Sequence, residues 1–358
     1  MKVLLLTRYD RLGASSRMRM LQYLPWLTSA GMDVTVSPLF SDAYVQGLQT
    51  GRRNPWHVFR AYWRRLLTLL SSGNFDLLWI EKECLPWLPA WVEQALLPAR
   101  IPYVLDYDDA VFHYYDEHRS TVVRRLLAQK HPALMRKAAL VVAGNAYLAK
   151  FARSAGATSV EVVPTAVDLG RYGTAGVAVS TTPPSAPCVG WIGQRATADF
   201  LRPLAPLFER LAASGLGRFA SIGIDTQALG LPMASIPWTE SSEVASIQSF
   251  DVGIMPLVDG PFERGKCGYK LIQYMACGLP VVASPVGVNA QIVEHGVNGF
   301  LASTPQEWED ALTTLLTDSA LRAHMGQTGR HKVEQEYCLQ VTGPKLAHLL
   351  TSAADPKK

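Results

Sequence analysis

One stretch of the chain decides the fold: residues 251–302, DVGIMPLVDGPFERGKCGYKLIQYMACGLPVVASPVGVNAQIVEHGVNGFLA. It begins with a short apolar strand, passes through a glycine-spaced basic loop, and enters a helix near Tyr269. Gly278 ends that helix, Pro280 prevents its continuation, and a second apolar strand follows at Val281. A strand, a helix and a strand in this order predict a parallel βαβ unit.

The same alternation of strands and helices extends over the rest of the chain. A small, Pro-rich segment at 172–187 interrupts it and has the composition of a linker. We therefore predict an N-terminal Rossmann-like domain (1–170), a linker (171–187), a second Rossmann-like domain (188–340) and a C-terminal helix and tail (341–358). The predicted strands cover 2–7, 33–38, 75–80, 103–106, 140–144, 160–164, 188–192, 219–224, 252–256 and 280–283.

Composition excludes several classes of protein. A length of 358 residues favours two domains, and 48% hydrophobic against 18% charged residues excludes a disordered chain. The N-terminal run MKVLLL is too short for a signal peptide or a membrane span, so we expect a soluble cytoplasmic protein. Five scattered cysteines without CxxC spacing favour reduced thiols over a disulfide framework and argue against a zinc site: Cys84, Cys188, Cys267, Cys277 and Cys338.

The net charge of +4 is spread unevenly along the chain. Residues 1–170 hold 20 Lys or Arg against 14 Asp or Glu, whereas residues 171–358 hold 14 against 16. A basic first half favours a negatively charged ligand or surface there. A solvated basic face is the alternative.

The basic loop before the predicted helix at 269–277 is a candidate anion site. Free backbone N–H groups and the positive end of the helix dipole lie next to Lys266, Cys267 and Gly268. Arg264, Lys266 and Lys270 add positive charge. The alternative is an ordinary βαβ unit with surface lysines.

Several motifs of this region resemble one enzyme family. The segment 273–282, QYMACGLPVV, stands in register with the A-M-A-x-G-x-P-V-V phrase of family 4 (group 1) retaining glycosyltransferases. Residues 287–293, 296–301, 163–168 and 191–193 are similar to further elements of that family, so the resemblance covers 140–340. It implies an α/β protein of GT-B fold, with two Rossmann-like doubly wound domains facing across a cleft and a C-terminal helix that crosses back to the first domain.

The resemblance also implies an activity. Family members transfer a hexose with retention and without metal, from a nucleotide-diphosphate sugar, here a UDP- or GDP-sugar, with no further cofactor. We expect a glycan or lipid-diphosphate-linked acceptor, a role in bacterial surface polysaccharide synthesis, and a cytoplasmic location with attachment to the inner membrane face as an option. The alternatives are a catalytically degenerate binding protein and an NDP-sugar epimerase of the same fold.

This sequence departs from the family at its Glu-x7-Glu motif. Gly265 stands at the first Glu position and Gln273 at the second, while Glu263 lies near enough to substitute. Gln194 and Asp199 replace the usual pyrophosphate-binding Arg and Lys, which leaves Arg195, Lys266 and Lys270 as candidates to stabilise the leaving diphosphate. The predicted donor-binding residues are Gly13, Ser15, Gly193, Arg195, Lys266, Gly268, Tyr269, Lys270, Leu271 and Gln273.

Polar residues that follow the strands of the first half are candidates for catalysis and acceptor binding. Gly13 and Ser15 follow the first strand, where an N-capped turn is the alternative. Asp106 and Asp108 have the spacing of a DxD metal motif, which we favour less because the family is metal-independent. His113 is a candidate catalytic base, and a purely structural role for this histidine is the alternative. The predicted catalytic residues are Glu263, Lys270, Asp109 and His113, and the predicted acceptor residues are Arg17, Glu81 and Asp108.

The segment 54–70, NPWHVFRAYWRRLLTLL, predicts an amphipathic helix. Its apolar stripe consists of Trp56, Phe59, Trp63, Leu66, Leu67 and Leu70, and Arg53, Arg60 and Arg64 flank it. Aromatic residues beside arginines favour a contact with a membrane surface, for which we name Arg60 and Arg64. A helix that packs this stripe into the core is the alternative, and nucleic-acid binding is less favoured because no such motif accompanies the charge.

Overall fold

The computed structural model describes residues 1–49, 55–173 and 186–355. Contacts divide the chain into two compact units. The first unit comprises Met1–Ala166, Gly265–Cys267 and Leu339–Lys358, and the second comprises Val167–Arg264 and Gly268–Cys338. The domain boundaries from the sequence stay predictions, and residues 174–185 of the predicted linker, like residues 356–358 of the predicted tail, lie outside the described residues.

The first unit is built around a six-stranded parallel sheet of order β2-β1-β3-β4-β5-β6. Its elements up to β6 are β1 (Lys2–Tyr9), α1 (Ala14–Arg19), α2 (Leu24–Ser29), β2 (Asp33–Phe40), α3 (Asp42–Gln49), α4 (Pro55–Leu70), β3 (Leu77–Glu81), α5 (Ala90–Leu96), β4 (Tyr103–Tyr107), α6 (His113–Asp116), α7 (Thr121–Leu127), α8 (Lys130–Lys137), β5 (Leu140–Ala143), α9 (Ala146–Ser154) and β6 (Val160–Val162). The central strands β3, β4 and β5 are buried along their whole length, which explains why they are largely apolar apart from Glu81 and Asp106 near the carboxyl ends.

The second unit repeats this plan with a parallel sheet of order β12-β11-β10-β7-β8-β9. Its elements are β7 (Cys188–Ile192), α10 (Arg195–Ala198), α11 (Ala205–Ala213), β8 (Arg218–Ile222), β9 (Ala234–Ile236), α12 (Glu243–Gln248), β10 (Val252–Met255), α13 (Pro261–Arg264), α14 (Tyr269–Ala276), β11 (Val281–Ala283), α15 (Asn289–Ile292), β12 (Gly299–Leu301), α16 (Pro305–Thr317) and α17 (Ser319–Glu336). Helix α14 connects β10 to β11, so the βαβ unit predicted from 251–302 is present.

The C-terminal helix α18 (Leu339–Ala354) belongs to the first unit, as predicted. Leu339, Leu346 and Leu350 are buried in the core of that unit. The Thr342 hydroxyl lies 3.0 Å from the Tyr23 hydroxyl. The helix approaches α2 closely at Gly343, where a Cβ atom would lie 2.7 Å from the Trp26 ring. Glycine at this position therefore permits the helix to pack.

The sequence also predicts helices over residues 20–30 and 200–213. Both are wrong in their extent, and prolines account for both differences. The predicted helix at 20–30 divides into a 3-10 turn and α2, which has Pro25 in its first turn. The predicted helix at 200–213 divides into a 3-10 segment containing Pro203, followed by α11. Proline lacks an N–H group and clashes with the preceding turn, so it starts a new helix more readily than it continues one.

Each sheet has a point at which the strand order reverses. In the first unit β1 leads outward to β2 while β3 to β6 extend the other way, so the reversal lies between β1 and β3. In the second unit it lies between β7 and β10. Ligands of open parallel sheets bind beyond the carboxyl ends of the strands at such a point. These two edges are therefore where a ligand site is expected.

Within the described ranges, no helix combines the length and the hydropathy that crossing a membrane requires.

Candidate functional site

The carboxyl edge of the first sheet carries a cluster of buried polar groups between β1 and β3. The Ser15 hydroxyl donates to Asp108 at 2.5 Å and lies 3.1 Å from a Glu81 oxygen. The Ser16 hydroxyl and the Arg8 backbone N–H donate to the other Glu81 oxygen, at 2.6 and 2.8 Å. The structure thus brings the predicted residues Ser15, Glu81 and Asp108 together at the reversal point.

Lys82 lies at the centre of this cluster, although it was not among the predicted site residues. Its Nζ atom is 2.7 Å from Asp108 Oδ1, 2.9 Å from Ser15 Oγ and 3.8 Å from Glu81 Oε1. Burial alone would lower the pKa of Lys82, but Asp108 and Glu81 raise it above its ordinary value. Burial would likewise raise the pKa of Asp108, but Lys82 holds it below the usual range. Both groups are therefore charged at neutral pH.

The backbone of Lys82 has a φ angle of +65°, in the left-handed region that residues other than glycine rarely adopt. Such a conformation costs about 1–3 kcal/mol and persists only where the surroundings impose it. Here the ion pair with Asp108 and the bond to Ser15 fix the side chain. A signal was available in the sequence, because Lys82 stands between two acidic residues directly after an apolar strand.

The two carboxylates of the DxD-like motif are each held by a cation. Asp106 is buried in an ion pair with Arg19 at 2.6 Å, and Asp108 pairs with Lys82. Among residues 1–49, 55–173 and 186–355, no group of three or more His, Cys, Asp or Glu side chains is arranged to hold a metal ion. The side chains of this motif are thus engaged in internal charge pairing.

The other predicted residues of this edge have different surroundings. Gly13 precedes α1, and a Cβ atom there would lie 2.3 Å from Tyr9 Cβ, so the turn requires glycine. Arg17 is buried and donates to the Arg11 carbonyl at 2.9 Å. Asp109 follows Asp108 and is half-buried. These three lie on the segments that carry the cluster.

Both ring nitrogens of His113 are engaged in hydrogen bonds. Nδ1 lies 2.9 Å from Asp116, and Nε2 lies 2.9 Å from the Tyr147 hydroxyl. This arrangement fixes the ring within the first unit and supports the structural alternative. The assignment of His113 as a catalytic base stays a prediction.

A neighbouring histidine, His131, is buried and makes the first unit sensitive to acid. Its Nδ1 atom lies 2.8 Å from the Tyr107 hydroxyl, and its Nε2 atom has no hydrogen-bond partner among the described residues. Burial lowers the pKa of His131 from 6.5 to about 4. The folded protein therefore keeps this ring neutral at a pH where the unfolded chain binds a proton.

We expect the free energy of unfolding to fall as the pH drops from 6.5 towards 4, by roughly 2–3 kcal/mol for this group. His131→Phe, which keeps a ring beside Tyr115, should remove that part of the pH dependence. Urea unfolding at a series of pH values measures it. His324→Gln, at an exposed histidine of α17, is the control and should leave the slope unchanged. Equal slopes for His131→Phe and the unmodified protein would contradict the prediction.

The loop Gly265–Cys267 belongs to the first unit and explains one departure from the family motif. The Asn145 amide donates to the carbonyl oxygens of Gly265 and Lys266, at 2.9 and 3.0 Å. A Cβ atom on Gly265 would lie 2.4 Å from Ala110 Cβ. The packing therefore excludes a glutamate at this position. The Lys266 side chain is half-buried.

At the carboxyl edge of the second sheet, the structure brings Gly193 and Lys270 together. Gly193 follows β7, and Lys270 is the second residue of α14. A Cβ atom on Gly193 would lie 2.4 Å from Trp191 Cη2 and 3.1 Å from Lys270 Cε. The Lys270 ammonium lies 5.0 Å from the centre of the Trp191 ring, within the range of a cation–π interaction. Lys270 is thus held over an aromatic face at the reversal point.

Helix α14 begins at this edge in the way the basic loop predicted. Gly268 is its N-cap residue with a φ angle of +65°, and a Cβ atom there would lie 2.3 Å from Ile292. Leu271 closes the first turn by donating its N–H to the Gly268 carbonyl at 2.9 Å. The Leu271 side chain is fully buried in the core, so only its backbone is placed at the edge.

The polar residues of α14 contact Tyr172, a second residue whose role the sequence did not predict. Gln273 is buried and donates to the Tyr172 hydroxyl at 3.0 Å, and Tyr269 hydrogen-bonds the same hydroxyl. The Tyr172 carbonyl accepts in turn from Arg330 at 2.6 Å. Gln273 thus stands at the family position but is tied to Tyr172. The local sequence around Tyr172 does not predict this role, because its partners Gln273 and Arg330 are 101 and 158 residues away.

The remaining predicted residues of the second unit lie nearer to solvent. Arg195 is exposed at the start of α10. Glu263 is half-buried in α13, beside Gly260. Arg264 forms a two-bond ion pair with Asp259, at 2.6 and 2.9 Å, so part of the expected charge of this loop is neutralised locally.

Residues 233–318 match the family model of group 1 glycosyl transferases. Over these residues the chain resembles group 1 glycosyltransferases. The predicted resemblance to this family is thereby confirmed, and the matched segment contains α14 and the basic loop before it. The match ends at Asp318, directly before α17. The first unit lies outside the match, apart from the short loop Gly265–Cys267.

Curated relatives of this chain align over short segments. An N-acetyl-alpha-D-glucosaminyl L-malate synthase of Bacillus anthracis is 30% identical over 77 residues, which cover 21% of this chain and 20% of that protein. A D-inositol 3-phosphate glycosyltransferase of Paenarthrobacter aurescens is 35% identical over 94 residues, 25% of this chain and 22% of that protein. The chain thus spans about a fifth of the length of these relatives.

The likeness to solved glycosyltransferase structures extends over nearly the whole chain. HepE of Anabaena, solved in complex with UDP, superimposes with a TM-score of 0.69 over 98% of this chain and 100% of that one, at 18% identity. At that identity the likeness establishes the fold. The predicted GT-B fold is therefore confirmed.

Proposed function

We propose that this chain is a retaining glycosyltransferase that transfers a hexose from a nucleotide-diphosphate sugar, a UDP- or GDP-sugar. One observation carries the proposal: Lys270 lies at the start of α14, at the reversal point of the second sheet, inside the segment that matches group 1 glycosyl transferases. A lysine and a helix N-terminus together suit a diphosphate. UDP is the nucleotide bound in the HepE complex, which favours UDP here.

The proposed reaction breaks the bond between the anomeric carbon and the diphosphate oxygen and forms a bond from that carbon to an acceptor hydroxyl. The leaving diphosphate takes the acceptor proton. Cationic groups must stabilise the charge that develops on the diphosphate, and we assign this role to Lys270, with Arg195 and Lys266 as further candidates. No metal ion is required in this scheme.

We assign acceptor binding to the first unit, through the cluster of Ser15, Glu81 and Asp108. Carboxylates and hydroxyl groups suit the hydroxyls of a sugar. The excess of basic residues in 1–170 favours an anionic acceptor, such as a lipid-diphosphate-linked glycan of bacterial surface polysaccharide synthesis.

Thermal unfolding in the presence of nucleotides tests the proposal. UDP, GDP, ADP, dTDP and CMP are compared with and without Mg²⁺, because a ligand that binds only the folded state raises the melting temperature. We expect UDP or GDP to stabilise the protein without Mg²⁺. If none of the nucleotides raises the melting temperature at millimolar concentration, the alternative of a catalytically degenerate binding protein is favoured. Conversion of the donor sugar in the absence of any acceptor would favour the epimerase.

A further inference from the structure

Helix α4 turns its aromatic stripe away from the core of the first unit. The exposed fractions are 71% for Trp56, 59% for Phe59, 55% for Trp63, 50% for Leu67 and 66% for Leu70. In an ordinary surface helix the large apolar residues face inward. The sequence left open whether this stripe packs into the core, and the structure shows that it does not.

The opposite face of α4 supplies the contacts that hold the helix in place. Ala61 and Leu69 are buried, and Val58 and Tyr62 pack with Phe40 in a small apolar cluster. Arg65 is also buried and donates to the carbonyls of Thr7 and Ser37 at 2.7 and 2.9 Å. The helix is thus anchored to the sheet without the stripe. The stripe therefore needs another explanation than folding.

Exposed tryptophans are concentrated in this part of the chain. Of the nine tryptophans, those that are exposed are Trp56, Trp63, Trp87 and Trp91. The segment that carries Trp87 and Trp91 adjoins α4, because the Tyr62 hydroxyl donates to the Pro86 carbonyl at 2.6 Å. Trp87 has a left-handed backbone, with a φ angle of +64°, while its side chain is 50% exposed. Backbone strain at an exposed aromatic residue favours a role in binding.

The charge around the stripe indicates the kind of partner. Between Asp42 and Asp76 the sequence has no acidic residue and five arginines, of which Arg65 is buried. Arg60 and Arg64 are exposed beside the stripe, and the Arg64 guanidinium also donates to the Pro38 and Leu39 carbonyls at 2.8 and 3.0 Å. Arg53, which the sequence also placed there, lies outside the described residues. Aromatic residues with adjacent arginines and no acidic residues suit the interface of a membrane with anionic lipids.

The sequence also suggests a second basic cluster, which is less uniform than the first and consists of Arg119, Arg124, Arg125, Lys130, Arg136 and Lys137. Lys130 is buried and pairs with Glu83 and Glu93, at 2.7 Å each, so it belongs to the core. In contrast, α7 exposes Val122 and Leu126, at 64% and 62%, and Arg125 lies between them in sequence. The Trp87 ring lies 5.7 Å from the His118 ring, shortly before α7.

We propose that the exposed stripe of α4, together with Trp87 and Trp91, docks the first unit on the surface of an anionic lipid bilayer. The stripe enters the boundary between head groups and acyl chains, with the helix parallel to the surface and Arg60 beside the lipid phosphates. This proposal is independent of the proposed function, since docking requires no nucleotide sugar. It would place a lipid-linked acceptor near the unit to which we assign acceptor binding.

Cosedimentation of the full chain with lipid vesicles tests the proposal. We expect binding to mixed phosphatidylcholine–phosphatidylglycerol vesicles, weaker binding to phosphatidylcholine alone, and a loss of binding as the salt concentration rises. The triple variant Trp56→Ser, Phe59→Ser, Trp63→Ser should lower the partition coefficient at least about tenfold. Arg60→Glu should weaken binding to anionic vesicles only.

Controls separate docking from loss of folding. Val341→Ser changes an exposed valine of α18, and Arg218→Glu reverses an exposed charge in the second unit; both should bind vesicles like the unmodified protein. The melting temperature should change little in all variants, because the replaced side chains are exposed. Quenching of tryptophan fluorescence by brominated lipids gives a second readout of insertion.

Three results would overturn the proposal. The first is no binding of the unmodified chain to anionic vesicles. The second is unchanged binding by the folded triple variant. The third is a dimer in sedimentation equilibrium that the triple variant abolishes without any effect on vesicle binding, which would assign the stripe to self-association.

Discussion

Lys270→Ala is expected to lower kcat/KM for glycosyl transfer by about 10²–10³-fold. The Lys270 ammonium lies over Trp191 at the edge where the second sheet reverses its strand order, one residue into α14 from its N-terminus. In the proposed reaction, a cation at this place stabilises the charge that grows on the leaving diphosphate as its bond to the anomeric carbon breaks. Because that charge is greatest in the transition state, kcat should fall more than KM rises.

Release of the nucleoside diphosphate from the donor sugar, followed at saturating acceptor, measures this effect. Lys332→Ala is a matched control, since Lys332 is a half-buried lysine of the same unit, as Lys270 is, and its ammonium donates to the Gln291 carbonyl at 2.8 Å. The stabilisation of the folded protein by the nucleotide should weaken in Lys270→Ala and persist in Lys332→Ala. An unchanged kcat/KM in Lys270→Ala would transfer the role to Arg195 or Lys266 and contradict our assignment.

Arg19→Ala is expected to destabilise the protein by about 3–5 kcal/mol. The Arg19 Nε atom donates to Asp106 at 2.6 Å, and its Nη1 atom donates to the Val163 carbonyl at 2.6 Å. Both side chains of the pair are 1% exposed. Removing the cation leaves a buried carboxylate without a counter-charge and a carbonyl without a donor. Burial already raises the pKa of Asp106 to about 6, which shows how unfavourable this charge is in its surroundings.

Chemical denaturation at neutral pH measures the loss, with Arg202→Ala as the control. Arg202 pairs with Asp199 at 2.7 Å, nearly the same distance, but both side chains are exposed. We expect little change there, because solvent screens the pair and hydrates the partner that remains. The double variant Arg19→Met, Asp106→Leu should recover part of the stability, since apolar groups often replace a buried pair without loss. Equal effects of Arg19→Ala and Arg202→Ala would show that burial does not set the cost.

The candidate site could be predicted only in part from the sequence. The basic loop before α14 and the strand after it were predicted from the local pattern, because a glycine-spaced loop, a helix start and a strand lie consecutively in 251–302. Gly193 and Lys270 were named separately, and the sheet brings them together. The roles of Lys82 and Tyr172 were not predicted, because the partners that define them are distant in sequence. Gly265 was read as a lost glutamate, whereas Ala110 leaves no room for any side chain there.

The sequence by itself determined the class of fold, the family and the place of the basic loop. These properties depend on short periodic patterns and on Gly and Pro, whose backbone preferences act over a few residues. Only the tertiary structure decided which face of α4 is buried. The sequence of α4 has two apolar faces, the aromatic stripe and a smaller face with Ala61 and Leu69. Periodicity identifies such faces but does not tell which of them packs against the sheet. The second face fits the sheet at Phe40, so the larger apolar stripe is left at the surface.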